Sequence, residues 1–248
     1  MTFYKEVSMS RVWITGDTHG ELEIYDRFTE KYFPQLTSLD MDEREDNYVI
    51  ILGDAGILFG DTNDDILAFL EEMPFITLWI DGNHDDHALI EDLEHIKMFG
   101  NTVGKVSDSV FHLMRGKHYH IHDLDIFTFG GAKSIDKHLR LENVDWWEAE
   151  VPSHEEYEEG LETLDLLLAD TELNKLYVLS HSCPTDIKSH LVTYDLGIID
   201  PTEYYLTEFY NRILDRDIEY HHFFGHFHED EEIDDVFTAV YEEFIELI

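Results

Sequence analysis

The stretch Phe75-Ile76-Thr77-Leu78-Trp79-Ile80-Asp81-Gly82-Asn83-His84-Asp85 passes from an apolar run into a polar turn. Its first six residues are β-prone and apolar, the pattern of a buried strand. Asn83 and His84 sit at the tip, where Asn offers a neutral oxygen and His a ring nitrogen or a proton. Four other stretches share this form. Arg11–Thr15 runs into Gly16-Asp17-Thr18-His19-Gly20, and Tyr48–Leu52 runs into Gly53-Asp54. Leu176–Ser180 runs into His181, and His222-Phe223-Phe224 runs into Gly225-His226-Phe227-His228. Each β-prone run delivers Asp, Asn or His at its end.

Helical stretches alternate with these strands. An apolar stripe through Leu22, Tyr25, Phe28 and Phe33 predicts a helix from Glu21 to Phe33, followed by a surface loop at Asp40–Asp46. Thr62 or Asn63 caps a predicted helix through about Met73, with Gly56 and Gly60 in the loop before it. Another predicted helix runs from His87 to Met98. Ser153-His154-Glu155-Glu156 is a capping box opening a helix to about Ala169. Pro201 opens one to about Arg216, in which Tyr204, Tyr205, Phe209 and Ile213 read as core packing. Strand–helix alternation of this kind predicts α/β units.

Val110–Met114, Lys117–His122 and Leu124–Gly130 read as short strands. His118, His120 and His122 alternate, which places them on one strand face. That is a polar face more readily than a third metal site, because no Asp or Cys ligand pattern accompanies them. The segment from about 132 to 150 carries Asp136, Lys137, His138, Arg140 and Trp146-Trp147. It reads as a lid or wall beside the strand ends, with gap-filling by the tryptophans as the alternative. Without internal repeats or low-complexity linkers, residues 1–248 read as one domain.

A hydrophobic share of 43% with 13% aromatics is a globular composition. No apolar run is long enough to span a bilayer. Met1–Ser10 has no apolar signal core and Cys183 stands alone, so a cytoplasmic location is expected. The formal net charge is −40. Such a field repels phosphate backbones, so neither long nucleic acid nor membrane is an expected partner, and a small substrate is. The charge fits either a need for solubility or a high-salt cytoplasm.

Asp17 and His19 lie two apart, as do His226 and His228, so each pair shares a side of an extended segment. Asp54, Asn83 and His181 supply further ligand types. Carboxylate, imidazole and amide oxygen together suit Mn, Fe, Zn or Ni better than Ca. Seven such groups are too many for one ion. They suit two divalent ions sharing a carboxylate about 3.5–4 Å apart, which activate a water and clamp a phosphoryl oxygen.

The series Asp17-x-His19, Gly53-Asp54, Gly82-Asn83-His84-Asp85, His181 and Gly225-His226-x-His228 resembles the calcineurin-like metallophosphoesterase superfamily from Gly16 to His228. The Gly130–Trp147 stretch is similar to a segment of its uncharacterised bacterial and phage members. The resemblance implies a four-layer α/β/β/α sandwich: two facing mixed β-sheets flanked by helices. It implies one metal held by Asp17, His19, Asp54 and His228. The second would be held by Asp54, Asn83, His181 and His226, with Asp54 bridging and a hydroxide between the metals attacking phosphorus in line. His84 would stabilise the pentacoordinate state or protonate the leaving oxygen.

Protein phosphatases of the superfamily carry Gly-Asp-x-x-Asp-Arg-Gly and Gly-Asn-His-Glu. Here Ala55-Gly56-Ile57-Leu58-Phe59 follows Asp54, and Asp85 stands in place of the Glu. The phosphate-gripping Arg is therefore missing, and Arg140 is the candidate replacement for binding substrate. The expected activity is metal-dependent hydrolysis of a small phosphate diester or monoester, nucleotides included. The alternatives are a phosphoprotein phosphatase and an inactive binding scaffold of the same fold.

Overall fold

The structure is a computed structural model describing residues 10–59, 63–191 and 199–248. The expected cap at Thr62, the loop residue Gly60, and the side chains of Leu22 and Asn63 fall outside that description. Strands β1 (Arg11–Thr15), β2 (Asn47–Leu52), β3 (Ile76–Ile80) and β6 (Val110–Leu113) lie side by side and parallel. β5 (Asn101–Lys105) and then β4 (Glu94–Met98) extend this sheet antiparallel, and β13 (Ile245–Glu246) pairs antiparallel with β1 at the other edge. The second sheet has β8 (Leu124–Phe129), β9 (Lys175–Ser180), β10 (Glu219–Phe224) and β12 (Phe237–Ala239) parallel. β7 (Lys117–Ile121) and β11 (Glu231–Glu232) are its antiparallel edges.

Side-chain alternation decides which layer each residue joins. Val12, Ile14, Ile50, Leu52, Leu78 and Ile80 meet Tyr119, Ile126, Tyr177, Leu179 and Phe223 of the second sheet in one core. The intervening Trp13, Val49, Ile51 and Trp79 face outward. There they pack on Ile24 of α1 (Glu21–Arg27), on Phe28 just after it, and on Ile66 and Leu70 of α2 (Asn63–Glu71). The far face of the second sheet packs Phe127, Phe129, Leu176 and Val178 against α4 (His154–Leu168) and α5 (Pro201–Leu214). The result is the expected α/β/β/α order. Burial on both faces is why the strands read as unbroken apolar runs. A one-residue slip would exchange the two buried sets, so the register that places the strand ends is strongly specified.

Some local expectations are corrected. The helix expected over His87–Met98 stops early: α3 spans only His87–Glu91, capped by Asp86, and residues 94–98 form β4. Ile96 and Met98 pack on the inter-sheet core with period two, while Lys97 between them faces solvent. A two-residue turn at Phe99-Gly100, both with positive φ, returns the chain as β5. The first helix ends at Arg27 rather than Phe33, and Pro34–Ser38 forms a short 3₁₀ turn. The acidic stretch is a 3₁₀ helix, Met41–Asp46, whose Arg44 donates to the carbonyls of Leu70 and Phe75. His118 and His120 do share a face, and both meet Asp125 on β8, at 2.8 and 3.0 Å. His122 leaves the strand into a left-handed turn and contacts the Asp46 carbonyl instead. The capping box at Ser153 and Glu156 is present as expected.

Within β10, His222 is buried between the Ser180 hydroxyl (2.6 Å) and the Tyr220 hydroxyl (2.9 Å). Burial pushes its imidazole down to about 3 from an ordinary 6.5. The unfolded chain therefore binds a proton that the folded chain refuses. This share of stability is intact above pH 6.5 and is lost as pH falls toward 3, at about 1.4 kcal/mol per unit. In chelator, a His222→Gln variant is expected to lose about 2 kcal/mol less than wild type between neutral pH and pH 5, measured by urea unfolding. Equal losses would contradict this.

Candidate metal centre

The parallel strands β1, β2, β3, β9 and β10 end at Thr15, Leu52, Ile80, Ser180 and Phe224, and the candidate ligands follow directly. Carboxyl ends of parallel strands are where open α/β sheets place ligands. The donor atoms of Asp17, His19 and His228 lie within 4.8 Å of one another, and so do those of Asp54, His181 and His226. Asn83 Oδ1 is 3.1 Å from His181 Nε2, which is 3.3 Å from Asp54 Oδ2. All seven sequence-predicted ligands therefore come together.

Each carboxylate is anchored by one oxygen and leaves the other facing imidazole. Asp17 Oδ1 accepts from the His226 N–H at 2.9 Å, and Asp54 Oδ1 accepts from the His84 N–H at 2.6 Å. Asp17 Oδ2 is buried without a hydrogen-bond donor, although His228 Nε2 lies 3.2 Å away. His19 Nε2 and His228 Nε2 are 2.9 Å apart. Two imidazole lone pairs cannot face each other at that distance unless a proton or a cation is shared. The donor set and the orphaned oxygen thus fit divalent cations.

Backbone and charge point the same way. His19, Asp54, His226 and His228 all have positive φ. For residues with a Cβ this costs of order 1–3 kcal/mol each, and such strain clusters at functional sites. Burial opposes a charged His181, but Asp54 and Asp17 overcome it and push this imidazole up to about 10. Burial would likewise raise Asp54, yet His181 and the neighbouring histidines hold it well below the usual carboxylate range. The carboxylates favour positive charge at His181, whereas burial and the charge of His181 push His226 down to about 3. His181 Nδ1 lies 2.8 Å from the Leu52 carbonyl; donation there fixes the tautomer and turns Nε2 toward Asn83 and Asp54.

Gly53 makes room for that ring. Its φ is +92°, and a Cβ there would lie 2.1 Å from His181 Nδ1. Gly53→Ala is expected to displace His181 and weaken divalent-ion binding by about tenfold or more, as read by a Mn titration. Wild-type affinity in this variant would contradict the placement of His181.

His84 and Arg140 lie beside the ligands. A cavity of about 210 Å³ is lined by Asp54, Asn83, His84, His226 and His228, together with Ile135, Asp136 and Arg140 of the 132–150 segment. That segment therefore forms one wall of the cavity. Trp147 is buried and meets Phe59 edge-on, so it also fills a gap between elements. Arg140 is held by Asp136 through two contacts, at 2.8 and 2.9 Å, and its Nη2 is 3.3 Å from His84 Nε2. The His84 ring thus has an arginine beside it, and Asp85 turns away to accept from the Gly82 N–H at 2.7 Å. Burial lowers His84, and Arg140 adds to the shift.

Several supporting residues gave no signal in the sequence. Arg27 donates to Thr15 Oγ1 and to the Asp17 carbonyl, both at 3.0 Å, and to the Tyr241 carbonyl. Tyr241 in turn stacks on His228 at 4.6 Å. Arg115 is buried against Asp81 at 2.6 Å and reaches the carbonyls of Ala149 and Glu150. Each is a lone charged residue far in sequence from what it holds, with no motif around it.

Two carboxylate–imidazole trios at four strand ends, with Asn83 at a fifth and His84 and Arg140 beside them, define the site of a metal-dependent hydrolase. The chain belongs to the calcineurin-like phosphoesterase family, whose family model matches residues 10–230. Membership implies metal-dependent phosphoester hydrolysis. No curated protein and no solved structure matches the chain. Among the described residues, no helix is long and apolar enough to cross a membrane.

Proposed function

We propose that the protein is a two-metal phosphoesterase acting on a small phosphate diester or monoester, nucleotides included. The observation carrying this reading is the pair of adjacent trios opening into the cavity that His84 and Arg140 line. Asp17, His19 and His228 would hold one ion, and Asn83, His181 and His226 the other, with Asp54 shared between them. Mixed oxygen and nitrogen donors favour Mn, Fe, Zn or Ni. When bound, such a pair supplies a nucleophile at neutral pH and neutralises charge on the phosphoryl oxygens.

The chain's own groups do the rest. Arg140, oriented by Asp136, grips a phosphoryl oxygen. His84 stabilises the crowded phosphorus or passes a proton to the leaving oxygen. A cavity of about 210 Å³ suits a phosphate with a small organic group. The net charge of −40 works against long polyanions.

With Mn added, hydrolysis of bis-p-nitrophenyl phosphate or p-nitrophenyl phosphate is expected to exceed that of a phosphopeptide in kcat/KM. Preference for the phosphopeptide would overturn the substrate class. Metal binding without turnover on any of the three would overturn the enzyme in favour of a scaffold.

A further inference from the structure

The Asn83 amide has two ends of nearly equal size, and only one of them suits a cation. Its Nδ2 donates to Ser134 Oγ at 3.1 Å. Ser134 Oγ donates its only proton to Glu150 Oε2 at 2.6 Å, and the Ser134 N–H donates to Glu150 Oε1 at 2.8 Å. A carboxylate only accepts, so the hydroxyl proton is committed to Glu150. What Ser134 then shows Asn83 is a lone pair, which an N–H satisfies and an amide oxygen does not. Relative exposures of 3% for Asn83, 3% for Ser134 and 1% for Glu150 leave little room for water to substitute.

We propose that Ser134 and Glu150 are positioning residues that hold the Asn83 oxygen toward the metal site and its nitrogen away from it. This rests on Asn83 being a ligand, as proposed above. The wall segment is thereby joined to the metal centre. Arg115 holds the Glu150 carbonyl at 3.2 Å, and the Ala132 N–H donates to the same carbonyl at 3.1 Å. Displacing the wall would release the amide.

Direction, rather than mere presence, of these hydrogen bonds is what the test must read. In Glu150→Gln the new NH₂ can donate to Ser134 Oγ, which frees the hydroxyl proton for Asn83 and favours the flipped amide. Every buried group keeps a partner, so stability changes little while the metal faces an NH₂. Mn binding to the full chain is measured by calorimetry, with thermal unfolding of the chelated protein as the control for folding. Asn83→Ala, Ser134→Ala and Glu150→Gln are each expected to weaken one of the two ions, the last two by about 10–100-fold. Ser134→Thr, which keeps the hydroxyl, is expected to stay within a few-fold of wild type. Wild-type affinity in Glu150→Gln overturns the proposal, even if Ser134→Ala binds weakly through lost packing. Wild-type affinity in Asn83→Ala overturns instead the reading of Asn83 as a ligand, and this proposal with it.

Discussion

Asp54→Ala is expected to lose metal and activity together, with kcat/KM reduced by about three orders of magnitude or more and bound Mn falling below one ion per chain. A single carboxylate at the end of β2 has three tasks here. It meets His181 at 3.3 Å through Oδ2, anchors the His84 N–H at 2.6 Å through Oδ1, and is proposed to serve both ions. Removing it takes the shared negative charge from between the proposed ions. Loss of a bridging ligand cannot be mended by the remaining imidazoles, because they are neutral donors. Metal analysis of the dialysed variant beside its turnover is the measurement. Wild-type metal content would contradict the bridging role.

The second large effect is expected at His84. His84→Ala should lower kcat by about 10²–10⁴-fold while both ions stay bound, the range typical of losing a positioned acid. His84 belongs to neither trio. Its backbone N–H anchors Asp54, which alanine keeps, and its ring meets the His19 ring edge-on at 5.4 Å without joining either trio. The deficit should be larger for an alkyl leaving group than for p-nitrophenolate, because a good leaving group needs no proton. Full activity on both substrates would refute the role. Loss of metal would move His84 into the ligand set.

How far the sequence could be read depends on range. Strand ends carrying Asp, Asn or His are local signals, and Asp17, His19, Asp54, Asn83, His181, His226 and His228 could all be named from them. The strand–helix alternation was legible for the same reason, since buried strands and amphipathic helices have different periods; the four-layer order followed only from the resemblance to the superfamily. What escaped was set by contacts between distant residues. Glu94–Met98 reads as helix because His87-Ala88-Leu89-Ile90 precedes it. Its strand is decided by pairing with β5 across a Phe99-Gly100 turn that lacks the usual Asn-Gly. Arg140 reads in the sequence as a candidate phosphate grip, but nothing local places it. Its position beside His84 depends on Asp136 and on how the whole wall is anchored. Ser134 and Glu150 look unremarkable as sequence, because the direction of a hydrogen bond is not a property of composition.

The central claim is that five strand-end loops assemble two cation sites. Anomalous diffraction from crystals grown with Mn tests it most directly. Two peaks are expected, one beside Asp17, His19 and His228 and one beside Asn83, His181 and His226, with Asp54 touching both. A single peak, or ions bound away from these residues, would contradict it.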